Sequence, residues 1–150
     1  MRVKDMMVYD ISAVFEDETV ERVIHILSKQ SVSGIPVVND NMKVVGFISE
    51  NDIIKAAVPS YFMLLQSASF IPDTNQLIKN LSRIKDKPIS DFMSKPPITV
   101  NEDDPLITAA DLLIRHGLKT LPVIDKNSRL VGVIRRIDVL RGVFEGKEEL

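Results

Sequence analysis

Two aspartates stand in matching local settings, and of all the polar side chains in the sequence they are the best suited to holding a ligand. Asp52 follows Val45-Gly46 by six positions, and Asp138 follows Val131-Gly132 by the same six. A carboxylate accepts hydrogen bonds from two hydroxyls at once, so an aspartate at the wall of a cleft suits a pair of ligand hydroxyls. A competing account exists at the first site. Ser49-Glu50-Asn51-Asp52 has the form of a capping box, in which serine accepts from an early helix amide while the aspartate reaches back. At the second site Arg135 replaces the serine and cannot accept that bond, yet Asp138 persists. The helix dipole alone can favour Asp138 there, and so can a ligand; the sequence leaves both accounts open.

Other chemistry has weaker support. The chain contains no glycine-rich phosphate loop, no dinucleotide-binding fingerprint and no His-Glu-x-x-His. His25 and His116 are its two histidines. They are isolated from each other, so helix-surface and helix-cap roles suit them better than a metal or catalytic role. Glu16-Asp17-Glu18 and Glu102-Asp103-Asp104 suggest a divalent cation at first sight. Each cluster precedes an expected helix, however, where carboxylates are already favoured by the exposed amides. No metal is expected.

The elements that position the aspartates are themselves duplicated. Advancing residues 3 to 57 by 86 positions superimposes them on 89 to 143 without a gap, laying Asp5 on Asp91, Met7 on Met93 and Pro36-Val37 on Pro122-Val123. In the first copy Ser12-Ala13-Val14-Phe15 reads as a short extended segment. Thr19 to Lys29 then places Val20, Val23, Ile24 and Leu27 on one helical face. In the second copy Leu106, Ala109, Ala110 and Leu113 repeat that face, with Asp104 as expected N-cap, Pro105 at the first helical position and His116-Gly117 at the end. Ile35 to Val38 and Val44 to Ile48 form a predicted hairpin, matched by Leu121 to Ile124 and Leu130 to Ile134. A last short helix begins near Ser49-Glu50-Asn51-Asp52 in one copy and Arg136-Ile137-Asp138 in the other, so each unit reads βαββα.

The reading divides the chain into repeat 1 (1–57), a helical insertion (58–88), repeat 2 (89–144) and a polar tail (145–150). The insertion holds Tyr61, Phe62 and Phe70, with a break at Pro72 and a second helix presenting Leu77, Ile78, Leu81 and Ile84. It is predicted to be a helical hairpin that fills core, covers a cleft or meets a second subunit.

Bulk properties narrow the function. Of 150 residues, 45% are hydrophobic, enough for a globular core, whereas one unit of roughly 55 residues would be marginal alone. The two are expected to fold together. Nineteen basic and 21 acidic residues give a net charge of −2 without a basic block, which disfavours nucleic acid as a partner. Absence of cysteine excludes disulfides, thiolate metal sites and cysteine nucleophiles. No segment approaches the roughly 18 apolar residues of a membrane span, and the N-terminus has no apolar signal core, so a cytoplasmic location is expected.

Ser33-Gly34-Ile35-Pro36-Val37-Val38 with Val45-Gly46-Phe47-Ile48-Ser49-Glu50-Asn51-Asp52, and Lys119-Thr120-Leu121-Pro122-Val123-Ile124-Asp125 with Val131-Gly132-Val133-Ile134-Arg135-Arg136-Ile137-Asp138, resemble the tandem cystathionine-β-synthase (CBS) domain pair, or Bateman module. The likeness covers nearly everything except the insertion and tail. It implies an α/β (α+β) fold of two βαββα repeats related by a pseudo-twofold axis. It further implies a stand-alone regulatory protein, not an enzyme, that takes AMP, ADP or ATP, and less readily S-adenosylmethionine, between its repeats. In such modules the adenine lies against one repeat while Ser/Thr-x-x-Asp of the other holds the ribose. Carried over, the resemblance gives one cleft with Met93, Ile98, Leu118, Lys119 and Thr120 as wall and Ser49 with Asp52 as clamp. It gives a second cleft from Met7, Ser12, Val32, Ser33 and Gly34 with Asp138. Arg135 departs from the family pattern, and is expected either to pair with a ligand phosphate beside Lys119 or to fill the second cleft. A homodimer and a separate regulated protein are the partners implied. The alternative is an interaction module with empty clefts, acting through its helical faces or the aromatic insertion.

Overall fold

The computed structural model describes residues 1–58 and 74–146. Tyr61, Phe62, Phe70 and Pro72 lie outside the described residues, as do the last four residues of the tail. Each repeat builds a three-stranded sheet from a parallel pair and a hairpin. In repeat 1, β1 (Val14–Phe15) pairs in parallel with β2 (Gly34–Val38), which pairs antiparallel with β3 (Val44–Ser49). β4 (Val100–Asn101), β5 (Thr120–Ile124) and β6 (Leu130–Arg135) repeat that topology. Even the registers correspond at the offset of 86: Gly34 lies opposite Ser49, and Thr120 opposite Arg135.

The helices follow the sequence pattern with three local differences, the first being Ile24, expected on a buried helical face with Val20, Val23 and Leu27 but 41% exposed. α2 (Val20–Gln30) is capped by Thr19, whose hydroxyl accepts from the Arg22 amide, and α3 (Glu50–Ala57) follows β3 directly. α4 (Thr74–Ile84) sets Leu77, Leu81 and Ile84 against the repeat 1 core, but Ile78 is more than half exposed. α5 (Leu106–Arg115) starts one residue later than expected, with Pro105 as N-cap in an extended conformation. Asp104 therefore lies too early to cap it, and its carboxylate accepts instead from the Asn101 amide. The Leu106 amide finds the Met1 carbonyl. Gly117 closes α5 at φ 62°, the left-handed conformation glycine adopts without steric cost. α6 (Arg136–Gly146) completes repeat 2.

The βαββα reading omits one element from each unit. α1 (Val3–Met6) and the 3₁₀ turn Ile89–Asp91 open the two repeats, yet each packs into the core of the other. Val3, Met6 and Met7 are buried with Leu113, Leu121 and Ile134 of repeat 2, whereas Ile89 is buried with Val23, Val37 and Ile48 of repeat 1. The acidic loops receive these arms through their carbonyls. Val3 and Lys4 amides donate to Asp104 and Glu102, and Ile89 and Ser90 amides donate to Glu18 and Glu16. Among the described residues there is no cluster of three or more potential metal ligands.

The exchanged arms also explain the two Val-Gly pairs. Beyond α1, Val8 exchanges backbone hydrogen bonds with Val133 of β6, and Ser94 does so with Phe47 of β3. A Cβ on Gly132 would sit 2.4 Å from the Val8 carbonyl oxygen, and one on Gly46 would sit 2.5 Å from the Met93 sulfur. Backbone yields less than a methionine side chain. Gly132→Ala is thus expected to cost about 1–3 kcal/mol, and Gly46→Ala to sit at the lower end of that range. Calorimetric melting of both variants checks the order. The turn ends of the hairpins meet as well, through Val38, Val44 and Leu130 and the backbone bonds Val44 to Ser128 and Leu130 to Met42.

Candidate functional site

Joining the sheets at their turn ends and along the arms leaves the opposite ends apart, and a cavity of about 790 Å³ lies between them. Ser49 and Asp52 of repeat 1 line it together with Leu118, Lys119 and Thr120 of repeat 2. So do Ser12, Val32, Ser33 and Gly34 of repeat 1 together with Arg135 of repeat 2. Residues assigned from sequence to two clefts therefore face one continuous space. Four assigned residues are elsewhere. Met93 packs beside Gly46 on the repeat 1 core, Met7 and Ile98 belong to the repeat 2 core, and Asp138 is fully buried.

The two aspartates differ in what their oxygens do. Asp52 Oδ2 accepts from the Ser49 amide (2.9 Å) and hydroxyl (3.0 Å), and the Asp52 amide donates to Ser49 Oγ (3.3 Å). This is the capping box the sequence suggested. It uses one carboxylate oxygen, and among the described residues Oδ1 accepts no hydrogen bond. Asp138 keeps the backbone half of the arrangement, its Oδ2 accepting from the Arg135 amide at 2.9 Å. The guanidinium takes the remainder: Nε donates to Oδ2 at 3.0 Å and Nη2 to Oδ1 at 2.9 Å. Arg141 approaches Oδ1 at 3.5 Å. Burial pushes the Asp138 carboxyl upward, but the hydrogen bonds from Arg135 and the charges of Arg135 and Arg141 outweigh it and hold the group below its ordinary value. Arg135 is raised correspondingly, first by that hydrogen bond and then by the charge of Asp138.

The cavity is electrostatically divided. Asp10, Glu50 and Asp52 line the repeat 1 side, and Lys119, Arg135 and Arg136 the repeat 2 side. Arg136 Nε donates to the Leu118 carbonyl at 2.8 Å, fixing the start of α6 to the loop before β5. Asp10 is held below its ordinary value, first by the hydroxyl of Ser12 and then by its amide. A smaller hollow of about 570 Å³ lies beside α2, α3 and α4 on repeat 1. Ile24, Leu27, Ile53, Ile54 and Leu81 line it, with Glu50 as its charged group, so it lacks the paired acidic and basic walls of the larger cavity.

A family model described as the CBS domain matches residues 3–59 and again residues 89–145. The chain belongs to the CBS-domain family. Both matches include the exchanged arm, so the arm is part of the CBS repeat and not an appendage. The chain is 32% identical over 158 residues to the uncharacterized protein MJ1426 of Methanocaldococcus jannaschii, covering 96% of this chain and 92% of that one. It is 29% identical over 148 residues to the chloroplastic CBS domain-containing protein CBSX2 of Arabidopsis thaliana, spanning 93% of this chain but 61% of that protein's length. The crystal structure of CBSX2 superimposes with a TM-score of 0.78 at 27% identity, over 98% of this chain and 96% of that one. The CBSX2 complex with AMP superimposes with a TM-score of 0.71 at 28% identity, over 97% and 98%. The mixed α/β CBS-pair architecture is thereby established. Among the described residues no helix is long and apolar enough to cross a membrane.

Asp10, Glu50, Asn51, Arg136 and Ile137 line the cavity without having been singled out in the sequence. Glu50 and Arg136 had a signal: they occupy equivalent positions in the two CBS repeats and carry opposite charge. Asp10 had none, because its place depends on where the exchanged arm leads the chain.

Proposed function

We propose that this CBS pair is a regulatory module that binds an adenine nucleotide in the cavity between its repeats. The observation that carries the reading is Asp52, which lines the cavity together with Leu118, Lys119 and Thr120 and whose Oδ1 accepts no hydrogen bond among the described residues. That oxygen accepts the ribose hydroxyls, and the repeat 2 segment supplies backbone groups and an apolar side chain for the base. Similarity to CBSX2, whose structure holds AMP, supports the same ligand class here. Lys119, Arg135 and Arg136 favour a phosphate over the cationic sulfonium of S-adenosylmethionine. Binding between repeats changes their mutual arrangement and so signals to a separate protein.

Melting in the presence of AMP, ADP, ATP or S-adenosylmethionine tests this. A ligand at 100 times its dissociation constant adds ~2.7 kcal/mol and should raise the midpoint by roughly 5–10 °C. No shift with any of the four refutes the nucleotide reading. The interaction-module alternative draws on α6, where Ile137, Leu140 and Phe144 form an exposed apolar stripe. We assign that stripe to a second copy of the chain, which makes the cytoplasmic module a homodimer. Light scattering of Phe144→Glu, expected to be monomeric where the parent is dimeric, checks it.

A further inference from the structure

We propose that the cavity takes one nucleotide per chain, not two, because Arg135 already occupies the carboxylate that a second ribose would need. The inference rests on the nucleotide reading above and deepens it. Repeat symmetry provides the base-facing wall of a second half-site, since Val32, Ser33 and Gly34 line the cavity just as Leu118, Lys119 and Thr120 do. What the second half-site lacks is an acceptor. Asp52 lines the cavity and, among the described residues, its Oδ1 accepts no hydrogen bond, whereas Asp138 has no exposed surface and both its oxygens accept from Arg135.

Admitting a ribose at Asp138 would exchange a two-pronged guanidinium contact for two neutral hydroxyl donors. Both kinds of donor make charge-assisted bonds to a carboxylate, but the guanidinium alone also neutralises its charge and matches its two oxygens in a fixed fork, so the exchange is unfavourable. The guanidinium is also the shorter route to the same oxygens, being attached three residues away and already seated. Its half-exposed outer edge faces the cavity. Arg135 thus closes the second half-site from within and presents a cationic wall to the nucleotide held at Asp52.

Calorimetric titration of the full chain with AMP tests the stoichiometry. One AMP per chain is expected. Asp52→Ala should weaken that event by at least about tenfold and reveal no second one. Arg135→Ser restores the residue found at position 49 of the other repeat, and Arg141 remains to neutralise Asp138. This variant should bind two AMP per chain. Two AMP per parent chain, or a full-affinity site surviving in Asp52→Ala, overturns the proposal even if Arg135→Ser does not fold. Carbodiimide-driven amidation with glycine ethyl ester, read by peptide mass spectrometry, separates this claim from the nucleotide reading. Asp52 should be labelled and Asp138 protected in the parent. Equal labelling shows that Arg135 does not close the half-site; absence of AMP binding refutes the nucleotide reading and the stoichiometry with it.

Discussion

Asp138→Ala is expected to destabilise the protein by about 2–3 kcal/mol at pH 7, whereas Asp52→Ala costs only about 0.5–1 kcal/mol. Breaking a fully buried ion pair costs about 3–5 kcal/mol. Here the cost is smaller because Arg135 is 48% exposed and can turn its charge to water. Loss of Asp138 nevertheless leaves the Arg135 amide without its acceptor and an empty volume at a site with no solvent access. Asp52 is partly exposed, so its removal is essentially loss of half a capping box. The corresponding fall in melting midpoint is roughly 4–12 °C for Asp138→Ala. The pH dependence has a definite sign. Asp138 is held below its ordinary value of 3.8, so its contribution is complete above that value and is lost as pH falls through the lower, folded value. The gap in stability between parent and Asp138→Asn should accordingly narrow below about pH 4. A gap that stays constant down to pH 2 would show that the charge of Asp138 contributes nothing.

Sequence periodicity revealed the sheets and helices because hydrophobic spacing and turn chemistry are local properties. The offset of 86 predicted equal units, and the strand registers of both sheets repeat at that offset. Exchange of the arms was not legible. Asp5 and Met7 could be aligned with Asp91 and Met93, but alignment does not say which core a segment enters. The glycines held a usable signal, since Gly46 and Gly132 sit within β-rich runs where glycine is unfavourable unless another backbone approaches closely.

The candidate site was legible by residue type more than by geometry. Ten of the fourteen assigned residues line the cavity, and the four that do not are three core side chains and Asp138. Sequence left Arg135 between pairing with phosphate and filling the cleft. Its contact with Asp138 decides how much charge it offers: with one carboxylate shared by Arg135 and Arg141, the side chains of Lys119 and Arg136 are the repeat 2 cations in the cavity without a carboxylate partner among the described residues. The repeated motif is therefore asymmetric at Ser49 and Arg135, the arginine engaging the aspartate of its own repeat with its charged side chain.

Ile89→Ala should lower stability by about 2–5 kcal/mol, and should do so in a single transition that takes both repeats with it. Ile89 belongs by sequence to repeat 2, but it has no exposed surface and packs with Val23, Val37 and Ile48 of repeat 1. Its amide also donates to Glu18 of repeat 1 at 2.7 Å. Unfolding repeat 2 pulls on this arm and opens the repeat 1 core. The reverse holds through Val3, which is buried in the repeat 2 core and donates to Asp104. Each repeat thus contains a structural part of the other, and neither can lose its core independently. Far-ultraviolet circular dichroism and hydrogen exchange resolved by peptide should give one coincident midpoint for 14–57 and 100–146 in the parent and in Ile89→Ala. Two transitions, with the substitution shifting at most the 14–57 segment on which its arm packs, would mean that the arms dock onto repeats already folded by themselves.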